Sequence, residues 1–161
     1  MELSSGTVLA IIGAAISMGL AAIASGIGVG LAGIAGAGVI SEDPKKFGPV
    51  LVLQALPQTQ GIYGFLGAVL ILIGVGVLGG AVKEIPIGMG YAALGGGIVI
   101  GLSSFTAVAQ GAIAASGMGA VAKRPETFGQ AIVLAVMAET FAIFGLLIAI
   151  LIFVGTKIMG G

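Results

Sequence analysis

Six basic and six acidic residues are all the charge this chain of 161 residues carries, and they are clustered. Glu42, Asp43, Lys45 and Lys46 stand together, as do Lys83 with Glu84, and Lys123 and Arg124 with Glu126. Glu2 and Lys157 lie near the two ends. Between these clusters run four long uncharged stretches, interrupted only by Glu139. A spanning helix needs about 20 apolar residues, and each stretch exceeds that. Lipid leaves backbone groups no water to bond, so spanning segments are helices or closed barrels. The expectation is an all-α membrane protein of four transmembrane helices, near residues 7–40, 47–78, 88–122 and 128–155.

Composition removes several function classes. The chain is 58% hydrophobic and 7% charged, against about a quarter charged in soluble domains. A net charge of zero gives no footprint for nucleic acid. There is no cysteine for a disulfide or thiolate site, and no histidine for imidazole chemistry. Residues 1–7 lack a basic leader region, so the first stretch reads as a retained helix. Lys45, Lys46, Lys123 and Arg124 lie on two loops at one end of the helices, with Lys83 and Lys157 at the other. The positive-inside rule then places both short basic loops in the cytoplasm and the termini outside.

The four helices are one hairpin written twice. A shift of 81 positions superposes Gly30 on Gly111, Pro44 on Pro125, and Phe47-Gly48 on Phe128-Gly129. It also superposes Thr59 on Thr140, Gly64 on Gly145, and Gly74 on Gly155. Residues 1–80 therefore form a first hairpin and residues 81–161 a second, related in parallel. Small residues recur along helix 1 at Ala15, Gly19, Ala22, Gly26, Gly30, Gly33 and Ala37. Helix 3 repeats the seam at Gly97, Gly101, Ser104, Ala107, Gly111, Ala115 and Gly119. Such seams let two backbones approach closely. They are not a dinucleotide fingerprint, because no strand precedes them.

Helix 2 holds a polar patch of Gln54, Gln58, Thr59, Gln60 and Tyr63 around Pro57. Proline removes an amide donor and crowds the preceding turn, which frees a carbonyl near Leu53 and loosens that of Leu56. Helix 3 adds Gln110, and helix 4 adds Glu139 and Thr140. Glu139 is the residue that most needs an explanation, because an ionisable group inside a membrane span is expensive and marks an ion path. Gln110 and Glu139 each lie about 14 positions from the turn between them, roughly 22 Å at the helical rise. Gln58, Thr59 and Gln60 lie at a similar distance from the first turn. One carboxylate, several amides, a hydroxyl and a loosened carbonyl thus share a level. This oxygen-rich set with one negative charge suits a hard monovalent cation such as Na⁺, or H⁺ on the acid. The repeat partner of Glu139 is Gln58, so four helices carry one acid.

These residues carry a family resemblance across essentially the whole chain. Residues 56–64 (LPQTQGIYG), 109–111 (AQG), 122–126 (AKRPE) and 138–140 (AET) resemble the rotor-ring proteolipid of prokaryotic V-type and archaeal-type rotary ATPases, the K or c subunit. The resemblance implies a closed homo-oligomeric ring in the cell membrane, with helices 1 and 3 inside and helices 2 and 4 outside. It implies a cation site at Glu139, completed by Leu56 through its carbonyl, Thr59, Gln60 and Gln110, with Tyr63 bonding the carboxylate. The presence of the whole set favours Na⁺ over H⁺. It further implies a stator subunit with an arginine, and a central stalk touching residues 41–46 and 123–127. Neither an organic cofactor nor catalysis by this chain is expected. The rival readings are a small four-helix cation-coupled secondary transporter and a purely structural proteolipid. The parallel repeat, the two glycine seams and the shortage of aromatic residues weigh against the transporter.

Overall fold

The computed structural model describes residues 3–159, so Met1, Glu2, Gly160 and Gly161 lie outside the described residues, and with them part of the leader reading. Four helical spans run through it: Ser5–Glu42, Pro44–Gly74, Ile87–Lys123 and Pro125–Gly155. Each is long and apolar enough to cross a membrane. The first is one helix, α1 (Ser5–Glu42). The second is α2 (Phe47–Ala55) and α3 (Thr59–Gly74), joined by a 3-10 turn over Leu56–Gln58. The third is α4 (Ile87–Ser103) and α5 (Thr106–Lys123), and the fourth is α6 (Phe128–Gly155).

Local chemistry sets the boundaries. The Ser4 hydroxyl accepts from the Thr7 amide at 3.2 Å and caps α1. Asp43 and Arg124 are extended, with φ of −142° and −139°. Each precedes a proline, which disfavours the helical conformation at that position. Pro44 and Pro125 then open the next span, where a missing amide proton costs nothing. The second span ends at Gly74 rather than near residue 78. Its exit is a helix-ending turn in which Gly76 takes φ +76°, Val77 N–H donates to Leu72 and Gly76 N–H to Ile73. The repeat partner of Gly76 is Lys157, and the same turn recurs there. Lys157 has φ +59°, and the Ile158 amide reaches back to Phe153.

The first and third spans pack most extensively, the second lies on the first, and the fourth lies on the third. Small residues let the two central helices touch backbone to backbone. A Cβ on Gly111 would overlap the backbone of Gly28, and one on Gly97 would overlap that of Gly13. This is the helix 3 seam as expected from Gly97 to Gly111, although Ala115 is only half-buried and Gly119 is exposed with open space around it; the helix 1 seam is not found. Ala15, Gly19, Ala22, Gly26, Gly30 and Ala37 are exposed, and a Cβ at Gly19, Gly26 or Gly30 would meet nothing within 4 Å. The buried face of α1 runs instead through Gly6, Gly13, Ser17, Ala24, Gly28 and Gly36. Helix 1 is small on both faces, so spacing alone did not distinguish the one that pairs within the chain.

Two apolar clusters form, one around Ile71, Ile100 and Phe153 and the other around Leu53, Met118 and Val121. Polar ties hold both ends. The Thr7 hydroxyl donates to the Lys83 carbonyl at 2.7 Å, pinning the linker between hairpins to α1. At the other end Lys46 Nζ donates to the carbonyls of Val121 and Ala122 at 3.1 and 2.6 Å. Those carbonyls belong to the last turn of the third span, where a cation also favours the helix dipole. Lys46→Met is expected to remove about 1 kcal/mol of stability, read as a lower denaturation midpoint in detergent. An unchanged midpoint would show that the clip contributes nothing.

Candidate functional site

Between the two apolar clusters lies a polar layer built from three spans. Glu139 projects from the middle of α6 and is half-buried. Tyr63, one turn past the start of α3, donates its hydroxyl to Glu139 Oε1 at 2.6 Å. Gln110 on α5 donates Nε2 to Glu139 Oε2 at 3.3 Å. Gln60 on α3 donates Nε2 to Gln110 Oε1 at 2.6 Å. The Thr59 hydroxyl lies 3.1 Å from Gln60 Oε1 and 3.0 Å from the Leu56 carbonyl, sharing its one proton between them. Every group on the path from Leu56 to the acid is therefore linked to the next. Gln60 and Gln110 are fully buried, which is tolerable because both ends of each amide are bonded.

The backbone prepares this layer at two places. Pro57 tightens the second span into the 3-10 turn Leu56–Gln58, which sets Thr59, Gln60 and Tyr63 on the inward side. Leu56 O takes the Thr59 amide as well as its hydroxyl. The third span also tightens, between α4 and α5, with the Phe105 amide bonding Leu102 and the Ala107 amide bonding Ser104. Short 3-10 pieces inside long helices commonly mark hinges or functional sites. Here the two flank one layer.

The polar patch of helix 2 does not act as a unit. Gln58 is exposed and outside the network, although it shares the level of Gln60. Gln54 lies nearer the basic loops, where its Nε2 covers Gly33 of α1. Adjacent residues on a helix point about 100° apart, so level and face are separate questions. Ser104 belongs to the site region in a way the sequence reading missed, having counted it only as a seam residue. It is fully buried, donates to the Ile100 carbonyl at 2.7 Å, and stands 3.4 Å from the Gln60 carbonyl. The Ser103–Ser104 pair inside an apolar span was the available signal. Ser25 faces Gly61 nearby, with its buried hydroxyl oxygen unpartnered.

Chemically the layer offers one carboxylate, two amides, a hydroxyl, a phenol and a main-chain carbonyl. No cluster of three or more acidic, histidine or cysteine side chains exists among the described residues. That supply of charge matches a single monovalent cation and is too small for a buried divalent one. The sequence matches the family model of the ATP synthase C subunit twice, over residues 12–71 and 94–152, once in each hairpin. The chain belongs to this ATP synthase family. Among relatives, it is 47% identical over 148 residues to an A-type ATP synthase subunit K of Methanocaldococcus jannaschii, covering 92% of this chain and 63% of that one. It is 40% identical over 119 residues to a V-type sodium ATPase subunit K of Enterococcus hirae, covering 73% and 72%. A third relative, an A-type ATP synthase subunit K of Sulfurisphaera tokodaii, is 54% identical over 63 residues, 39% of this chain and 62% of that one. The chain thus spans somewhat under two thirds of the length of the first of these relatives.

Gln110 is the bridge of the layer, and its removal has a defined cost. Gln110→Ala leaves Gln60 Nε2 without its acceptor and Glu139 Oε2 without its donor. An orphaned buried polar group costs about 1–3 kcal/mol. The expected result is a fall in stability of that size in detergent unfolding. No fall would mean that the amide is not held between those two partners.

Proposed function

We propose that this chain is the rotor-ring subunit of a rotary ATPase or ATP synthase, with one Na⁺ per four helices held at Glu139. Many copies close into a homo-oligomeric ring in the cell membrane. The reading is carried by the Glu139 carboxylate, held between the Tyr63 hydroxyl and the Gln110 amide in a helix with no other charged residue. The first hairpin, residues 1–80, supplies Leu56, Thr59, Gln60 and Tyr63. The second, residues 81–161, supplies Gln110 and the acid.

The cycle follows from the energetics of one charge. An unpaired carboxylate facing lipid is costly, and a carboxylate with a bound cation is not. Na⁺ therefore enters with Glu139 as its counter-charge. The Thr59 hydroxyl, the side-chain oxygens of Gln60 and Gln110 and the Leu56 carbonyl exchange hydrogen bonds for ion contacts. Tyr63 keeps its bond to the acid and fixes its orientation. In this state the site crosses lipid as the ring turns. At the stator an arginine balances the emptied carboxylate, and the ion leaves. The chain itself catalyses no bond-breaking step; nucleotide chemistry belongs to other subunits. The basic loops, residues 41–46 and 123–127, face the cytoplasm and meet the central stalk.

Two observations favour Na⁺ over H⁺. The layer around the carboxylate offers the oxygens of Thr59, Gln60, Gln110 and the Leu56 carbonyl, a coordination shell that Na⁺ would use and that a proton on the acid does not need. The relative from Enterococcus hirae is also a sodium ATPase subunit. A small four-helix transporter would need no ring and no twofold repeat of the family model, so it is the weaker reading.

Carbodiimide labelling distinguishes these possibilities. The reagent is expected to modify Glu139 in a detergent-resistant oligomer, with Na⁺ protecting it at constant pH. Labelling that ignores Na⁺ across the pH range would assign the site to protons. A stable dimer protected by a cationic drug would instead indicate the transporter. Glu139→Gln is expected to abolish ion transport while assembly survives, since the amide keeps the shape without the charge. Thr59→Ala is expected to weaken Na⁺ binding on the order of tenfold, about 1.4 kcal/mol. Full transport by the glutamine variant would remove the central role of the acid.

A further inference from the structure

The linker between the hairpins lies at the end of the bundle away from the basic loops. There Lys83, Glu84 and Ile85 line a cavity of about 250 Å³ together with Met89, Lys157 and Ile158. Three spans meet at it. The second ends at Gly74, the third begins at Ile87, and the fourth ends at Gly155. Gly74 brings two of these ends together, because a Cβ there would overlap the Ile158 carbonyl. Two ammonium groups and one carboxylate therefore share a cavity whose other walls are largely apolar, a surplus of one positive charge.

The fold itself gives these two lysines nothing to do. Lys46, at the opposite end, places its ammonium on the carbonyls of Val121 and Ala122. Lys83 and Lys157 differ. Their main-chain amides donate to Val75 and Val154, and the Lys83 carbonyl accepts from Thr7, so the backbone that carries each is fixed. Among the described residues their ammonium groups have no hydrogen bond and no ion pair. The helix ends do not claim them either. Carbonyls in the last turns of the second and fourth spans already take amides, Leu72 from Val77, Ile73 from Gly76 and Phe153 from Ile158. The third span presents its N-terminal end here, where a positive side chain is disfavoured. Two like charges held at one cavity without partners repel each other, and an anion between them removes that cost.

We infer that this cavity binds the phosphate of an anionic membrane lipid between Lys83 and Lys157. The spans end at this level, so the cavity lies where head groups lie. Basic pockets between spanning helices suit such head groups. Ile85, Met89 and Ile158 give the glycerol and the first carbons of the chains an apolar wall, which a free hydrated anion does not need. The volume falls just below the roughly 300 Å³ at which sites for whole small molecules begin, so it takes the head group and leaves the chains in the bilayer. Glu84 sets the charge. With one carboxylate beside two ammonium groups, the cavity matches the single charge of a phosphodiester better than the higher charge of inorganic phosphate. A lipid seated here joins the ends of three spans, and it does so without touching Glu139 or depending on which cation that residue holds.

Both lysines are exposed, and so is Lys45 at the other end, which makes lysine acylation read by peptide mass spectrometry a direct test on the full chain in detergent. Phosphatidylglycerol added to phosphatidylcholine micelles is expected to slow acylation of Lys83 and Lys157 about tenfold at saturation and to leave Lys45 unchanged. Inorganic phosphate is expected to protect neither. Equal protection by inorganic phosphate would assign the cavity to a free anion and overturn the lipid. Equal slowing at Lys45 would show general attraction to an anionic surface, and no slowing at all would show an empty cavity; either result overturns the site. Lys83→Gln checks that the two lysines share one ligand. The bonds that hold Lys83 are main-chain ones, so the variant is expected to fold and Lys157 to react at its usual rate without lipid. Protection of Lys157 by phosphatidylglycerol is expected to be lost in it. Full protection there would overturn the shared site.

Discussion

A charged group in hydrocarbon must carry its own solvent, and this requirement organises the molecule. Glu139 has no counter-charge among the described residues; its two hydrogen bonds come from a phenol and an amide. Those donors are themselves buried or half-buried and need partners. The demand is therefore passed from the acid to Gln110, then to Gln60, then to Thr59 and the Leu56 carbonyl. Each group in the series is present because the previous one would otherwise be unsatisfied. An isolated polar residue at this depth would be a defect. A connected one is a binding site whose bonds an entering cation can take over.

The glycines of the two central helices are a precondition for that series. Gln60 and Gln110 meet at 2.6 Å across different spans. Side chains of that length reach each other only if the spans lie close together. Gly28 against Gly111 supplies the close approach, and it lies at the level of the amide contact because Gln110 and Gly111 are adjacent. A bulkier residue at either position would push the spans apart there. The small residues and the polar layer are one device: two thin helices in close contact let three spans share a site.

Much of this was legible in the sequence, for identifiable reasons. Charge clusters delimited the four spans because lipid tolerates no other arrangement. Counting from each turn placed Gln110 level with Glu139, since antiparallel helices of equal rise must meet at equal distances. What counting could not supply was direction around the helix axis. Gln58 and Gln60 share a level, yet one faces outward and the other in. The helix 1 seam likewise had the right spacing on a face that stays open within the chain. The 3-10 turn at Leu56–Gln58 resets the angular phase of everything after it, and no periodicity crosses such a turn unchanged. The interruption at Ser104 had no proline to announce it.

The two helix-ending turns at Gly76 and Lys157 show what duplication does to a constraint. Both positions adopt the same left-handed backbone, at φ +76° and +59°. At Gly76 the chain doubles back, and an added Cβ would overlap the Ala81 carbonyl. That site is locked twice, by torsion and by space. At Lys157 a side chain is present, so torsion alone disfavours it, by about 1–2 kcal/mol on the general scale for a non-glycine residue. The second copy of the turn thus keeps the torsion with the spatial constraint lifted, and a lysine side chain takes the room that the first copy denies.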